Sequence, residues 1–410
     1  MNILVIDRAP PCDLLQGNAL IGQHLFSRLR HHHLTIICPA PAVAHERYQA
    51  GLAPLFDTIH LVAREQPITA LMGAFEPALA RAGLRLGGAD LAATRAFQAR
   101  VHSVVASGSF DVIHTRQLPM AAMTAGLKHP AKLLELIDSE TLQASRRVRS
   151  KAPQTWVRAA AARLVERHAA RQFNACTTVA AADAQVVQQL VPTVPVHVTP
   201  NGVDADYFAP LDLPEQPATI IFTGAMSFPP NVTAVLHFYQ SILPLIRREL
   251  PNVRFVIAGR DPSPPIAALA SDPFVTVTGF VDDMRPWLAR ASVMVCPMVM
   301  GSGIKNKVLE ALAMARPVVA TALGVEALEV SSGQELMIAD TVEAFAAATL
   351  ALLRNAAARR RIGAAGRELV LRRYTWEACA ASYDAIYSQL AARQGTPRRL
   401  ANLHDKAVSR

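Results

Sequence analysis

The sequence has few of the features that mark disulfide-bonded, zinc-finger or membrane-spanning proteins. Its 410 residues include five cysteines, which lie far apart without C-x-x-C spacing: Cys12, Cys38, Cys176, Cys296 and Cys379. This spacing argues against a disulfide framework and against a cysteine-rich metal site. The longest apolar runs, such as 291–300, are much shorter than the roughly 18 residues that a membrane-spanning helix needs. We therefore expect a protein of a reducing compartment, the cytoplasm.

Two common nucleotide-binding motifs are also missing. The phosphate loop G-x-x-x-x-G-K-[ST] does not occur, and Gly301 and Gly303 are followed by Asn306 where a dinucleotide fingerprint has a third glycine. We therefore expect neither a P-loop kinase nor a typical dehydrogenase.

The composition indicates a well-folded chain that prefers anionic partners. Hydrophobic residues make up 51% and charged residues 18%, and a chain of 410 residues is too long for a single core. The net charge of +9 favours nucleotides, phospholipid surfaces or nucleic acid. Nucleic acid is the weakest of these, because no groove-reading motif or interleaved aromatic residues accompany the charge. We expect no nucleic-acid binding.

Strand and helix patterns alternate along both halves of the chain, which predicts two doubly wound α/β domains with parallel sheets. The segment 199–210, rich in turn residues and proline, would join them. The predicted strands are 3–7, 34–39, 59–62, 111–115, 133–138, 176–179, 196–199, 219–223, 255–258, 275–278, 293–297, 318–321 and 336–339.

The segment 301–321 (GSGIKNKVLEALAMARPVVAT) predicts a glycine loop, a helix and a buried strand. Gly301 and Gly303 allow close approach of a ligand, and the following helix offers free N–H groups and the positive end of its dipole. Lys305 and Lys307 add two charges, and Glu310 follows on about the same helix face. Together these residues are typical of a nucleotide-diphosphate site. Taken alone, the two lysines would more often be a solvated helix face.

An ordered set of segments resembles glycosyltransferase family four. The segments are 222–235 (FTGAMSFPPNVTAV), 242–247 (ILPLIR), 255–259 (FVIAG), 277–283 (VTGFVDD), 285–289 (RPWLA), 303–313 (GIKNKVLEALA) and 317–321 (PVVAT), with 201–204 (NGVD) and 374–377 (YTWE). The most similar branch is the sugar transferases associated with bacterial exopolysaccharide and protein-sorting (PEP-CTERM, exosortase) systems. The resemblance covers the second half strongly and the first half weakly.

The resemblance implies a GT-B fold, in which two Rossmann-like domains face each other across a cleft. Residues 1–200 would form the acceptor-side domain, 201–375 the donor domain, 376–392 a helix that returns to the first domain, and 393–410 a basic tail. The implied activity is a retaining glycosyl transfer, without metal or other cofactor, from a nucleotide-diphosphate sugar to a saccharide or lipid-linked saccharide.

Matching positions carry the family's donor contacts onto this sequence. Lys305 and Lys307 would hold the diphosphate, Glu310 the ribose hydroxyls, and Gly224 would approach the phosphates. The remaining donor-binding positions belong to the glycine loop: Gly301, Ser302, Gly303 and Ile304. Many members carry a second glutamate where this chain has Ser302, and basic residues where it has Ala225 and Pro230. The identity of the donor sugar therefore stays open.

Three residues are predicted on the acceptor side. A frequent His-x-His of the family appears as His114-Thr-Arg116, and an arginine at the second position cannot serve as a base. His114 is either a structural histidine or part of an active site. Gly17 either belongs to a loop that faces a ligand or forms a turn.

Other polar clusters have both a functional and a structural interpretation. His31, His32 and His33 resemble a metal tract, but neighbouring residues do not easily converge on one ion, which favours a polar helix terminus. Asp204 and Asp206 resemble metal-binding acids, although their place in the linker favours turn capping. The arginine-rich region 146–171 could contact the inner face of a membrane, with Trp156 as an anchor, or be a solvated helix pair.

Two alternative functions stay open. A nucleotide-sugar epimerase can have the same fold and donor contacts. A non-catalytic nucleotide-sugar sensor or scaffold would be consistent with the missing acid at Ser302.

Overall fold

The structure, a computed structural model, describes residues 1–12, 17–64, 91–147, 153–301 and 303–393. The chain divides into two compact units. Unit 1 contains residues 1–178, 184–199 and those from 380 onward, and unit 2 contains residues 179–183 and 200–379. Each unit has one parallel sheet with helices between its strands, so the predicted pair of doubly wound α/β domains is confirmed.

Each predicted strand is present, with ends within one residue of the predicted bounds. The strands are β1 (Asn2–Ile6), β2 (His33–Ala40), β3 (Thr58–Ala63), β4 (Val112–Arg116), β5 (Lys132–Ile137), β6 (Ala175–Thr178), β7 (Val196–Val198), β8 (Thr219–Thr223), β9 (Arg254–Ala258), β10 (Val275–Gly279), β11 (Val293–Cys296), β12 (Val318–Ala320) and β13 (Met337–Ile338). The central strands are apolar on both faces because helices cover both sides of a parallel sheet.

The helices in the described ranges are α1 (Gly17–Arg28), α2 (His45–Leu52), α3 (Leu91–Ser107), α4 (Glu140–Arg147), α5 (Pro153–Ala170), α6 (Ala181–Leu190), α7 (Pro229–His237), α8 (Leu243–Glu249), α9 (Pro264–Ala267), α10 (Arg285–Arg290), α11 (Asn306–Ala313), α12 (Ala322–Val325), α13 (Val342–Arg354), α14 (Ala356–Arg373) and α15 (Trp376–Ala392). Across the part of the chain that the structure describes, no helix is both long and apolar enough to span a membrane.

The strand order is of the doubly wound type in both sheets. Unit 1 has the order β3-β2-β1-β4-β5-β6-β7, and unit 2 has the order β10-β9-β8-β11-β12-β13. The order reverses between β1 and β4 in unit 1, and between β8 and β11 in unit 2. In such sheets the loops at the reversal diverge and leave a crevice at the carboxyl ends of the strands, where ligands bind.

The core of unit 2 packs helices onto both faces of its sheet. Phe222 on β8, Phe255 on β9 and Leu309 on α11 are fully buried in it. Phe238, which follows α7, packs against Phe255 with ring centroids 4.8 Å apart and the ring planes tilted by 45°. This apolar layer holds β8, β11 and α11 in place, and these three elements carry the candidate donor contacts.

Two motifs that are far apart in the sequence pack together within unit 2. Val203 pairs with Thr375 in an isolated bridge, and its N–H donates to the Tyr374 carbonyl at 2.8 Å. A side chain at Gly202 would come within 2.3 Å of the Trp376 nitrogen, so only glycine fits there. This contact fixes the start of α15.

The C-terminal helix α15 returns to unit 1, as the resemblance implied. Its residues from Ala380 onward belong to that unit. The side chains of Tyr383, Ile386, Tyr387 and Leu390 are all buried. The apolar residues that recur at helical spacing in the sequence therefore face the core.

Candidate functional site

The candidate site lies at the carboxyl end of the unit 2 sheet, at the reversal of strand order. Gly224 follows β8, while the glycine loop lies between β11 and α11. Gly224 has φ +144°, and a Cβ there would come within 2.7 Å of Asn231 Nδ2 and 3.0 Å of Lys307 Nζ. Glycine at this position therefore makes room for the lysine and the asparagine. The structure thus brings Gly224 and Lys307 together, although they lie far apart in the sequence.

Lys307 lies in the first turn of α11 and is held by two contacts. Its Nζ donates to Asn231 Oδ1 at 2.7 Å and lies 3.9 Å from the centre of the Phe222 ring. Asn231 is itself oriented by its Nδ2, which donates to the Ala225 carbonyl at 2.9 Å. Burial lowers the pKa of Lys307 to about 8, because the charged form loses water. A nearby anion would stabilise the charged form of Lys307 and raise its pKa again.

The glycine loop folds back onto Lys305. The Nζ of Lys305 donates to the Gly303 carbonyl at 2.6 Å and lies 3.9 Å from Glu326 Oε1. Gly301 and Gly303 have φ of +116° and +68°, in the region that favours glycine. The Lys305 side chain does not cap the first N–H groups of α11, among which the Val308 N–H donates to the Lys305 carbonyl at 2.8 Å.

Glu310 lies one helical turn beyond Lys307 on α11. No hydrogen bond or ion pair from a described residue reaches its carboxylate. Burial raises the pKa of Glu310 to about 7, and the Lys307 charge offsets only part of that effect. A partly buried carboxylate without a donor is well placed to accept hydrogen bonds from ligand hydroxyls.

The structure describes two of the other three predicted donor-binding residues, Gly301 and Ile304. Ile304 is partly buried against the unit 2 core, and Gly301 is exposed. Ser302 lies outside the described residues. Ser302 is the position at which many family members have a glutamate, so the structure does not test the effect of this difference.

Several residues of the site were not singled out from the sequence. Asn231 and Phe222 position the Lys307 ammonium. In addition, the buried atoms Thr223 Oγ1 and Asn306 Oδ1 have no hydrogen-bond partner in the described part of the chain. Thr223 ends β8 and Asn306 begins α11, so both unpartnered atoms belong to the strand-end segments that carry Gly224 and Lys307. The sequence signal that could have identified Asn231 is its place directly after the two prolines that begin α7.

Two of the three predicted acceptor-side residues, His114 and Arg116, lie in a buried ionic cluster of unit 1. Arg116 is 1% exposed, donates from Nε to Glu135 Oε2 at 2.9 Å, and donates from NH1 to Asp7 Oδ2. His114 is fully buried, with Nε2 3.0 Å from Glu135 Oε2 and Nδ1 2.7 Å from the Tyr387 hydroxyl. This geometry corresponds to the structural interpretation of His114, and an acceptor role for it stays a prediction.

The pKa shifts in this cluster reflect mutual pairing. Burial alone would raise the pKa of Glu135, but Arg116 and His114 bring it down to about 2. Burial also raises the pKa of Asp7, against the pull of Arg116. The pKa of Arg116 rises despite its burial, because it faces two carboxylates. Gly17, the third acceptor-side residue, begins α1.

Asp204 and Glu166 act as local caps in the structure. The N–H of Tyr207 donates to Asp204 Oδ1 at 2.9 Å, which matches the turn-capping interpretation, and Asp206 is exposed. Glu166 accepts hydrogen bonds from the Ser139 hydroxyl and from the Glu140 and Thr141 N–H groups, and so caps α4.

Comparison with known proteins shows what the chain is similar to. Residues 217–355 match the family model described as "Glycosyl transferases group 1". The chain is 30% identical over 202 residues to phosphatidyl-myo-inositol mannosyltransferase of Mycobacterium leprae, a match that covers 47% of this chain and 53% of that protein. It is 26% identical over 319 residues to MMP alpha-(1->4)-mannosyltransferase of Mycolicibacterium hassiacum, covering 73% of this chain and 76% of that protein. The chain therefore spans about half the length of the first of these relatives.

Solved structures show the same fold at low sequence identity. Sucrose-phosphate synthase of Thermosynechococcus elongatus superposes with a TM-score of 0.67 at 16% identity, over 96% of this chain and 99% of that one. Alr3699/HepE of Anabaena, solved in complex with UDP and glucose, has a TM-score of 0.63 at 13% identity, over 95% and 99% of the two chains. These likenesses establish the GT-B fold.

Proposed function

We propose, on the premise that the chain is a glycosyltransferase family four-like protein with the GT-B fold, that it is a retaining glycosyltransferase. It would transfer a sugar from a nucleotide-diphosphate donor to a saccharide or lipid-linked saccharide. The wider process would be assembly of exopolysaccharide or another surface glycoconjugate, at the cytoplasmic side of the membrane. The Anabaena protein with the same fold was solved with UDP and glucose, which supports a nucleotide-sugar donor.

The observation that carries the proposal is the fixed ammonium of Lys307 beside Gly224, one helical turn from the Glu310 carboxylate, which no described residue reaches with a hydrogen bond. In the proposed complex, Lys305, Lys307 and the N–H groups of α11 bind the diphosphate. Glu310 accepts hydrogen bonds from the ribose hydroxyls. The distance between a diphosphate and its ribose is comparable to one helical turn, so one nucleotide can reach both groups.

The same residues would stabilise the departure of the nucleotide. When the bond between the sugar C1 and the phosphate oxygen breaks, its electron pair goes to that oxygen, and negative charge grows on the diphosphate. Two lysines and oriented N–H groups stabilise this charge without reorganising. They can supply what a divalent cation supplies in other transferases, so we propose that donor binding is independent of metal.

The test is a screen of nucleotide sugars followed by product analysis. Uridine, guanosine and adenosine diphosphates and their sugars are compared by thermal shift, since a ligand that binds only the folded protein raises its melting temperature. The best donor is then incubated with saccharide acceptors, and NMR determines the anomeric configuration of the product. Transfer with retention, unchanged by EDTA, is expected.

Different outcomes would identify the alternative functions. Isomerised sugar formed without an acceptor would indicate an epimerase. Tight donor binding with neither hydrolysis nor transfer would indicate a sensor or scaffold. Loss of donor binding on chelation would contradict metal independence and direct attention to Asp204 and Asp206.

An exposed face of α5 supports a lipid-linked acceptor at a membrane surface. Trp156 is 65% exposed, Val157 70% and Leu164 56%. Two exposed arginines, Arg163 and Arg167, follow Trp156 at seven and eleven residues and so lie on the same face of the helix, whereas the exposed Arg158 lies on another. Glu166, the one acid in this helix, is buried and occupied as a cap. We propose that this apolar and cationic face lies on anionic lipid.

Vesicle sedimentation tests this contact. The wild-type protein is expected to bind vesicles with anionic lipid more strongly than neutral ones, and to lose that preference in high salt. Replacing Trp156 and Leu164 by serine should weaken binding. Val43→Ser is the control, because Val43 is an exposed apolar residue elsewhere in unit 1, with 96% of its surface accessible. Equal binding by both variants would contradict the proposal.

A further inference from the structure

Two adjacent histidines and a distant aspartate converge in unit 1. His31 and His32 lie in the turn between α1 and β2, and Asp384 lies on α15. The Nε2 of His32 is 2.6 Å from Asp384 Oδ1, and the Nε2 of His31 is 3.1 Å from the same carboxylate. One ligand atom from each of the three residues lies within 4.8 Å of the others. Two imidazoles thus point their outer nitrogens at one carboxylate.

These distances are close to those of a metal-binding set. Ligands around a tetrahedral zinc ion at bond lengths of about 2.0–2.1 Å are separated by roughly 3.3 Å. The two histidine nitrogens are already 2.6 and 3.1 Å from the carboxylate, so shifts of under 1 Å would bring these two distances to the ligand spacing. We propose that His31, His32 and Asp384 form a binding site for a divalent transition-metal ion of the Zn²⁺ type, with water as the remaining ligand.

The ligand types define which ion the site would take. Imidazole nitrogen suits zinc, copper, nickel and iron, whereas magnesium and calcium prefer sets of oxygen atoms. Metal ligation uses a ring nitrogen of the neutral histidine side chain. The His32 side chain is 8% exposed and that of His31 54%, so the site has a fixed inner ligand and an open outer one.

The third histidine of the tract lies outside the site. His33 begins β2, and its Nδ1 is 3.5 Å from Asp57 Oδ2. In the sequence, residues 31–33 were interpreted as a polar helix terminus because neighbouring histidines alone do not converge on one ion. Asp384, more than 350 residues away in the chain, supplies it when α15 packs into unit 1.

A bound ion would join the end of α1 to the C-terminal helix. Asp384 is next to Tyr383 in the sequence and one turn before Tyr387, and both tyrosines are buried beside His114. The His32 ring also contacts Tyr387, with centroids 6.0 Å apart. Since the three ligands come together only in the folded chain, the ion would bind the folded state preferentially and stabilise it.

The test uses the full-length protein without a histidine tag, stripped with EDTA and dialysed. Calorimetry with ZnCl₂ should show one ion per chain, and thermal unfolding should shift upward by several degrees. MgCl₂ at the same concentration should cause no shift. His31→Gln and Asp384→Asn should each weaken zinc binding at least tenfold, whereas His33→Gln, the matched neighbour, should leave it unchanged.

Each outcome decides for or against the site. No zinc binding to the wild-type protein would overturn the proposal, as would an equal loss in His33→Gln, which would mean that the exposed tract binds alone. Asp384→Asn changes a contact to the buried His32, so circular dichroism checks the fold of this variant. If this variant unfolds, the more exposed His31→Gln decides, and unchanged zinc affinity in that variant overturns the proposal.

Discussion

The two units place charged groups at the same topological position and treat them differently. In each sheet the charges lie at the carboxyl ends of the strands, where the strand order reverses. In unit 1 Arg116, Asp7 and Glu135 are buried and bonded to one another. In unit 2 Lys307 is held by a neutral asparagine, and Glu310 has no hydrogen-bond donor among the described residues. The unit 1 charges are paired with one another, and the unit 2 charges have no such hydrogen-bonded pairing among the described residues.

This difference separates structural from functional charge. A buried charge needs an opposite charge and hydrogen bonds, or its pKa shifts towards the neutral form. Glu135 has both, and its pKa is about 2. Glu310 is near the Lys307 charge but accepts no hydrogen bond from a described residue, and its pKa is about 7. The comparison predicts that unit 1 needs its charges to stay folded, and it agrees with the proposal that unit 2 uses its charges to bind a nucleotide.

The largest expected effect is on the stability of unit 1. Arg116→Met would leave Asp7 and Glu135 buried without their cation, and we expect a loss of about 3–5 kcal/mol in the free energy of unfolding. Urea denaturation followed by circular dichroism measures it. Arg372→Met is the control, since Arg372 is 61% exposed and should change stability by less than about 0.5 kcal/mol. Equal stability of the two variants would mean that the unit 1 cluster is not structural.

Next in size is the effect of Gly224→Ala on donor binding. The new methyl group would displace Lys307 and Asn231, at a backbone φ of +144° that alanine rarely adopts. We expect nucleotide-sugar affinity to fall by about 10-fold to 100-fold, as when a charged hydrogen bond is lost. Gly333→Ala tests for backbone strain alone, because Gly333 has φ +83° and no atom within 4 Å of the added Cβ. A similar fall in both variants would contradict a specific role for Gly224.

The smallest expected effect is the pH dependence of donor affinity. Glu310 ionises as pH rises through about 7, and Lys307 loses its charge as pH rises through about 8. The ribose contact needs the ionised acid and the diphosphate contact needs the charged lysine, so affinity should peak between these values. Each limb should change by at most about tenfold per pH unit.

Calorimetry with a nucleotide sugar is suitable for this measurement, because its diphosphate diester has no proton to lose near pH 7. Glu310→Gln should remove the acid limb and keep the alkaline one. If the acid limb persists in that variant, Glu310 does not control donor binding.

The strands could be predicted because they are local features. β1 and β11 are short apolar runs bounded by polar or turn residues, and this length and flanking pattern is typical of a strand buried on both faces. The glycine loop before α11 is also local, with its glycines and lysines within seven residues. Physical rules that act over one or two helical turns were sufficient for both.

The partners of these residues could not be predicted because they come from distant parts of the chain. Asn231 lies 76 residues before Lys307, and Tyr387 lies 273 residues after His114. Neither separation leaves a periodic signal in the sequence. For this reason His114 could not be assigned to a structural or a catalytic role, and Asp384 was not recognised as a partner of His32. Only the packing of α15 into unit 1 brings Tyr387 to His114 and Asp384 to His32.

The most direct test of a nucleotide site in unit 2 compares two lysines that lie over aromatic rings. Lys307 Nζ is 3.9 Å from the centre of the Phe222 ring in unit 2, and Lys132 Nζ is 5.5 Å from that of Phe173 in unit 1. Calorimetry would measure the affinity of Lys307→Met and Lys132→Met for the preferred nucleoside diphosphate and for its nucleoside. We expect Lys307→Met to weaken diphosphate binding by about 10-fold to 100-fold, and Lys132→Met to leave it unchanged. Diphosphate affinity in Lys307→Met equal to that of the wild-type protein would contradict the site.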